Sequence, residues 1–262
     1  MKFKKSLGQN LLIDKNILKK IVSITSLCNK EIIEIGPGTG NLTKEILKTK
    51  PKKIICIEKD KNFADELRNI FYKEKILTVI NTDILKLNLK KLISKDTIVI
   101  GNLPYNISTQ ILLKFVRFNP WLPKFKRLIF MFQKEVGEKI IASSGSSDFS
   151  RLSIITKSRF KILKSFYVSR NCFIPKPKIE SIVIELQPIL NKNASFKSIK
   201  TLEYITNIFF SNKRKMINKA FNKLGINDTD FFKKNKINLS LRAENLNENQ
   251  FYSIAEYYEK IK

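Results

Sequence analysis

The segment Asn102-Leu103-Pro104-Tyr105 combines residue types suited to holding a planar amino group. The Asn102 side chain offers a carbonyl oxygen, and Pro104 restricts the chain so that the Leu103 backbone carbonyl can point outward. Tyr105 adds a flat ring on which a base can stack. Two acceptors and one ring fit the amine of a flipped-out adenine. Because Asn and Pro also build ordinary turns, this segment alone leaves a plain turn as the alternative.

An apolar strand precedes this segment, and similar runs recur along the chain. Short apolar runs bounded by turn residues predict strands over 31–35, 53–58, 77–80, 97–100 and 128–132. Helical periodicity over 39–48 and 62–72 lies between these runs, and 133–142 predicts a further helix. This alternation predicts an α/β fold with a doubly wound parallel sheet. Two later runs, 160–168 and 180–186, predict an antiparallel edge.

The loop after the first predicted strand carries Gly36, Gly38 and Gly40 at alternate positions. Glycines allow a backbone to approach a ligand where a Cβ atom would clash. The spacing Gly-x-Gly-x-Gly differs from the Gly-x-Gly-x-x-Gly of dinucleotide binders, and it favours a ligand without a pyrophosphate. A tight turn without a ligand is the alternative.

Polar residues end the following strands. Glu58 ends the second strand, where a carboxylate can accept hydrogen bonds from ribose hydroxyls, and Asp83 ends the third, where it can accept from an adenine amine. Asn102 ends the fourth. The carboxyl ends of parallel strands meet at one edge of a sheet, so these side chains are expected to share one site. Taken singly, each acid is more often a helix cap or a solvated residue.

Composition narrows the function classes. The chain has 262 residues, and its 50 Lys and Arg against 23 Asp and Glu give a net charge of +27. Such a charge predicts a polyanionic partner, nucleic acid first and an anionic membrane surface second, with solvated lysines of a biased composition as the alternative. The chain has no histidine, which excludes histidine-based triads, bases and metal sites.

The sequence also predicts the cellular location of the protein and its domain organisation. No stretch reaches the roughly 18 apolar residues of a membrane span, and the N-terminus lacks the apolar region of a signal peptide, so a cytoplasmic protein without membrane association is expected. Three scattered cysteines are expected to be reduced. Polar sequence from Pro188 onward, followed by helical periodicity, predicts two domains, 1–187 and 188–262.

Together these motifs resemble those of one family, the ribosomal RNA adenine N6,N6-dimethyltransferases, and most closely its bacterial small-subunit branch. The resemblance extends from Lys5 to about Leu186. It rests on Glu58, Asp83 and the segments 6–12, 34–40, 101–108, 133–136, 151–153 and 173–181. Small departures occur at 148–150, which lacks an expected glycine, and at Gln110, where proline is frequent.

The resemblance implies a Rossmann-like class I S-adenosylmethionine-dependent methyltransferase sheet, 1–187, and a small all-helical C-terminal domain, 188–262, that binds RNA or the ribosome. It implies that Phe173 stacks on the target base opposite Tyr105, which completes a catalytic set with Asn102, Leu103 and Pro104. The implied S-adenosylmethionine site contains Asn10, Leu12, Gly36, Gly38, Glu58, Asp83 and Asn102.

The implied reaction dimethylates two adjacent adenosines near the 3′ end of the 16S ribosomal RNA of the small subunit, during subunit biogenesis. The implied enzyme is monomeric and uses no metal. Arg151 and the basic run 213–215 are candidate RNA contacts, although 213–215 also fits a solvated helix face.

Three other functions stay open at this level. A large-subunit RNA or DNA adenine methyltransferase could use a similar Asn-x-Pro-Tyr pocket. An assembly or transcription factor could retain the fold and bind nucleic acid without catalysis, although the intact motifs argue against lost activity. A dinucleotide-dependent oxidoreductase is disfavoured by the glycine spacing and by the absence of histidine.

Overall fold

The structure is a computed structural model, and it describes residues 10–118, 123–190 and 196–262. The chain divides into two compact units, Met1–Gly137 with Lys161–Pro188 and Glu138–Phe160 with Ile189–Lys262. The predicted boundary after residue 187 thus lies close to the last change of unit. The inserted segment Glu138–Phe160, which the sequence assigned to the first domain, falls in the second unit. Its Phe149 and Ile154 side chains belong to the same buried cluster as the C-terminal helices.

The strands of the described residues form two sheets. They are β1 (Leu11–Leu12), β2 (Glu31–Ile35), β3 (Lys53–Glu58), β4 (Leu77–Asn81), β5 (Thr97–Asn102), β6 (Arg127–Gln133), β7 (Phe160–Val168), β8 (Phe173–Ile174) and β9 (Ser181–Pro188).

The larger sheet has the strand order β4-β3-β2-β5-β6-β9-β7. Strands β2 to β6 are parallel to one another, whereas β9 pairs antiparallel with β6 and places Ile184 opposite Phe130. The predicted parallel sheet with an antiparallel late strand is therefore confirmed. Between β2 and β5 the strand order reverses, and ligands bind at such a point in open α/β sheets.

The central strands are apolar because helices cover both faces of the sheet. In β5, Val99 and Ile100 are fully buried, and in β6, Leu128 and Phe130 are fully buried as well. Burial of neighbouring residues on opposite faces explains why these strands read as continuous apolar runs and not as alternating ones.

The described residues also form α-helices between and after the strands. They are α1 (Lys15–Val22), α2 (Asn41–Lys48), α3 (Lys61–Ile70), α4 (Ser108–Val116), α5 (Lys134–Ile141), α6 (Arg151–Lys157), α7 (Ile199–Phe210), α8 (Asn218–Leu224), α9 (Thr229–Lys234) and α10 (Glu248–Ile261).

Helix α2 starts two residues later than the periodicity predicts. Gly40 has a φ of 77°, in the left-handed region, and forms the N-cap. The glycine loop therefore continues up to this residue, and only then can the helix begin. Helices α1, α4 and α6 were not predicted from the sequence; α4 begins at Ser108, soon after the Asn102–Tyr105 segment.

The second sheet is small and was also not predicted. Strands β1 and β8 pair antiparallel, with Leu11 opposite Ile174 and Leu12 opposite Phe173. Ile13 extends this pairing, since its amide donates to the Cys172 carbonyl at 2.9 Å. Strands of this length carry too little periodicity for detection from sequence.

The second unit has an aromatic core. The Phe209 ring contacts Phe221 and Phe251 edge to face, with ring centroids 5.1 and 5.4 Å apart. Helix α7 buries Leu202 and Ile205 at the predicted helical spacing. In the described part after residue 196, the regular structure is helical apart from an isolated bridge between Met216 and Arg242.

Candidate active site

A cleft in the first unit lies at the carboxyl ends of β2, β3, β4 and β5. Its empty space, with the open mouth included, is about 1120 Å³. Except for Phe173, the residues predicted for catalysis and cofactor binding all line it. They are Asn10, Leu12, Gly36, Gly38, Glu58, Asp83, Asn102, Leu103, Pro104 and Tyr105.

The glycine loop forms one wall of the cleft. Its backbone has conformations that residues other than glycine rarely adopt. Gly36 and Gly38 have φ values of 68° and 56°. A Cβ atom on Gly38 would lie 2.7 Å from Cδ2 of Leu11, which lines the same cleft. The loop thus needs glycine for both its conformation and its close approach to a neighbouring wall.

Glu58 stands at the end of β3 and organises this loop. Its carboxylate accepts hydrogen bonds from the Gly38 amide at 3.2 Å and the Asp60 amide at 2.8 Å. Burial raises the pKa of Glu58, while the backbone donors act against that rise. A carboxylate has about four acceptor positions. Glu58 can therefore hold the loop and still keep acceptor capacity for a ligand hydroxyl.

Asp83 lies beyond the end of β4 and has donors on both oxygens. Lys59 Nζ is 2.9 Å from Oδ2, and the Leu85 amide donates to Oδ1 at 2.9 Å. The hydrogen bond from Lys59 is the main reason that the pKa of Asp83 is lowered. Asp83 is thus a charged acceptor at the cleft wall, available to a ligand amine.

The Asn102 amide has a fixed orientation. Its Nδ2 atom donates to the Asn10 carbonyl at 2.7 Å. With the amino group held in this way, the side-chain oxygen of Asn102 remains as an acceptor. The following turn is closed by the Ile107 amide, which donates to the Pro104 carbonyl at 3.1 Å. Asn10 was predicted as a cofactor residue; its carbonyl also orients the residue predicted to hold the target amine.

Glu34 is a cleft residue for which the sequence gave no individual role. It is 1% exposed, and the Thr43 hydroxyl donates to its Oε2 atom at 2.7 Å. Burial raises the pKa of Glu34 to about 7. The signal that could have identified it is an acid inside the apolar strand Glu-Ile-Ile-Glu-Ile, directly before the glycine loop.

Phe173 does not line the cleft, although it packs against residues that do. It is 2% exposed and belongs to the buried cluster that includes Leu12 and Leu18. Stacking of Phe173 on a target base stays a prediction, and it would require this side chain to leave its buried position. Of the predicted N-terminal motif 6–12, residues 6–9 lie outside the described part of the chain.

The candidate RNA contacts in the second unit differ in their surroundings. Lys213 Nζ forms an ion pair with Glu244 at 3.1 Å and also donates to the Ser147 carbonyl. Arg151 donates to Asn207 Oδ1 at 2.8 Å. Arg214 and Lys215 are exposed. The structure thus favours Arg214 and Lys215 over Lys213 as residues that can reach a phosphate.

The described residues contain neither a candidate metal site nor a helix that could cross a membrane. No group of three or more Cys, Asp or Glu residues there could hold a metal ion. None of the helices in this described part could span a bilayer.

Comparison with known proteins decides the family. A family model described as ribosomal RNA adenine dimethylase matches residues 1–260. The chain belongs to the ribosomal RNA adenine dimethylase family. This membership confirms the enzyme class that the motifs predict, an adenine dimethyltransferase acting on ribosomal RNA.

Several curated relatives carry the name ribosomal RNA small subunit methyltransferase A. The Pelagibacter ubique (strain HTCC1062) protein is 43% identical to this family member over 265 residues, which cover 100% of this chain and 99% of the relative. The Mycoplasmopsis synoviae (strain 53) protein is 37% identical, over 94% of this chain and 90% of the relative.

Solved structures agree with the methyltransferase fold. A dimethyladenosine transferase from Plasmodium falciparum matches with a TM-score of 0.80 at 28% identity, over 95% of this chain and 98% of that one. The 23S rRNA methyltransferase ErmE matches with a TM-score of 0.67 at 19% identity, over 95% and 100%, a likeness that shows the fold alone. The predicted Rossmann-like methyltransferase fold is thereby confirmed.

Proposed function

We propose that this dimethylase methylates the N6 amino groups of two adjacent adenosines near the 3′ end of 16S ribosomal RNA, during biogenesis of the small subunit. The observation that carries the proposal is the fixed Asn102 amide. The Asn10 carbonyl accepts a hydrogen bond from its amino group at 2.7 Å, so its oxygen is left to accept a hydrogen bond from a target amine. Gly36, Glu58 and Asp83 line the same cleft.

The residues of the cleft fit S-adenosylmethionine. Gly36 lines the cleft with a φ of 68°, in the left-handed region that favours glycine, and it presents backbone without a side chain at this wall. Glu58 keeps acceptor capacity for a ribose hydroxyl, and Asp83 is a charged acceptor for the adenine amine. When bound, this cofactor would supply the electrophilic sulfonium methyl group.

The side chains then act by positioning. The lone pair of an adenine amine is delocalised into the ring, which makes the amine a poor nucleophile. The amine N–H groups donate hydrogen bonds to the Asn102 side-chain oxygen and the Leu103 carbonyl, and these bonds draw the nitrogen toward tetrahedral geometry. The amine proton leaves for solvent after methyl transfer, so no side-chain base is needed. This agrees with a chain that contains no histidine.

Stacking offsets the cost of extracting the base. Unstacking costs a few kcal/mol, and each aromatic contact returns about 1–3 kcal/mol. Tyr105 lines the cleft and can provide one such contact; Phe173 is proposed as the second. Tyr105→Ala and Phe173→Ala should lose turnover and retain cofactor binding. Equal losses of cofactor affinity in both would argue against stacking.

The choice of substrate is supported by the small-subunit relatives, whose length this chain covers nearly completely. The net charge of +27 supplies sequence-independent affinity for RNA. We place the reaction in the cytoplasm, where ribosomal subunits mature, and take the enzyme to act as a monomer without a metal.

The test is transfer of labelled methyl groups from S-adenosylmethionine to undermethylated small ribosomal subunits, followed by nucleoside analysis. Large subunits and duplex DNA are assayed alongside, and Asn102→Ala serves as the inactive control. N6,N6-dimethyladenosine from small subunits alone is the expected product. Label on large subunits or DNA would overturn the substrate, and cofactor binding without label on any substrate would indicate a non-catalytic assembly factor.

A further inference from the structure

Ser181 stands at the functional edge of the sheet because of strand direction. The first residue of β9, it pairs with Gln133, the last residue of β6. Since β9 runs antiparallel to β6, the start of β9 lies where the parallel strands end. Asn102 ends β5 at the same edge, opposite Met131 of β6.

The Ser181 side chain is buried and bonded to the pocket. Its hydroxyl lies 2.6 Å from the Tyr105 hydroxyl, and the residue is 0% exposed. The start of β9 is held independently of this contact, because the Lys134 amide donates to the Glu180 carbonyl at 2.9 Å. The strand therefore does not need the Ser181 hydroxyl for its own pairing.

Tyr105 is held from its other end as well. The Ser108 hydroxyl donates to the Tyr105 carbonyl at 3.2 Å, which fixes the backbone at the start of α4. A tyrosine ring anchored only through its backbone can still turn about its two side-chain torsions. The contact with Ser181 restrains these torsions at the far end of the ring.

We infer that Ser181 is a positioning residue for the target-base pocket, since its buried hydroxyl holds the Tyr105 ring in the plane on which the base stacks. This inference rests on the proposed function, in which Tyr105 carries the base. Ser181 itself does not line the cleft. A small displacement of a positioned reactant lowers the rate of a transfer step even when binding is retained.

The test is a double-mutant cycle of Ser181→Ala and Tyr105→Phe, measured as kcat and KM for methyl transfer to undermethylated small subunits. Each variant removes one hydroxyl group and keeps an aromatic ring at position 105. Each should lower kcat on the order of 10-fold, the effect of one lost buried hydrogen bond. The double variant should be no slower than the slower single variant, because both changes remove the same contact.

Controls separate positioning from folding. The affinity for S-adenosylhomocysteine, measured by calorimetry, should stay at the wild-type value in all three variants. Ser158→Ala is the matched control, because Ser158 is also buried and its hydroxyl donates to the Ile155 carbonyl at 2.8 Å. It should have the wild-type kcat.

Wild-type kcat in Ser181→Ala, or losses that multiply in the double variant, would overturn the inference. So would a lower kcat accompanied by an equal loss of S-adenosylhomocysteine affinity, which would indicate general damage to the fold. Failure of the wild-type enzyme to form dimethyladenosine would instead refute the proposed function, and the two failures are thus distinguishable.

Discussion

Replacing Gly38 by alanine is expected to weaken cofactor binding in addition to destabilising the fold. Gly38 has a φ of 56°, and the new Cβ atom would lie 2.7 Å from Leu11 Cδ2. Gly225 offers a matched control. It has a φ of 71°, and a Cβ atom there would meet nothing within 4 Å. Both substitutions carry backbone strain, but only the first also crowds the cleft.

The magnitudes follow from these two environments. A left-handed conformation costs a residue with a Cβ atom about 1–2 kcal/mol, and both variants should bear this cost. Carbon atoms make optimal contact at about 3.5–4.0 Å, so the Cβ atom of the Gly38 variant would lie about 1 Å too close. Overpacking of this kind costs about 1–3 kcal/mol. If the Leu11 side chain relieves this overlap by moving into the cofactor space, the affinity for S-adenosylhomocysteine should be about 5- to 150-fold weaker.

The assay is calorimetric titration of S-adenosylhomocysteine together with thermal unfolding of the unliganded protein. Gly225→Ala should lower Tm by about 2–4 °C for each kcal/mol of strain and bind the ligand with wild-type affinity. Gly38→Ala should lower both Tm and affinity. Wild-type affinity in Gly38→Ala, with a fall in Tm equal to that of the control, would refute the argument that this glycine shapes the cofactor wall.

Three further outcomes are expected. Asn102→Ala removes the acceptor and leaves the Asn10 carbonyl without its donor. Single-turnover methyl transfer at saturating S-adenosylmethionine should therefore fall about 100-fold. An unchanged transfer rate at saturating cofactor, with only the affinity for S-adenosylhomocysteine lowered, would contradict a role in holding the target amine. Burial raises the pKa of Glu34 to about 7 from 4.5, so wild-type stability should decline as the pH rises between these values. At pH 8, the free energy of unfolding of Glu34→Gln should exceed that of wild type by on the order of 3 kcal/mol, whereas at pH 4.5 the two proteins should have nearly equal stability. Thermal unfolding at both pH values measures this difference. The same stability difference at both pH values would contradict a raised pKa of Glu34. Arg214→Ala and Lys215→Ala should each reduce the salt slope of RNA binding by about 0.7–0.9 in filter-binding titrations, and unchanged slopes would remove them from the RNA contact.

Local sequence was sufficient to predict elements whose pattern lies within one continuous stretch of the chain. The strands β2, β3 and β5 were predicted because fully buried parallel strands are apolar on both faces. The acceptors Glu58, Asp83 and Asn102 could be placed at one edge because the carboxyl ends of parallel strands share it. The resemblance then added the residues of β1, which periodicity could not have found.

The domain boundary was harder to predict because it depends on burial between distant segments. Ile154 of α6 belongs to the buried cluster of the C-terminal helices, although it precedes the polar stretch at Pro188 that marks the predicted boundary. The polar stretch at Pro188 marks only the last of the three changes between the units.

By itself, the sequence determined the α/β class, the polyanionic partner, the histidine-free chemistry and the acceptors at the carboxyl edge, since composition, periodicity and motif spacing are local properties. Only the tertiary structure decided that Asn10 orients Asn102, that Ser181 reaches Tyr105, and that Phe173 is buried without lining the cleft. These contacts join residues far apart in the chain. Their geometry depends on strand order and register, which no local pattern specifies.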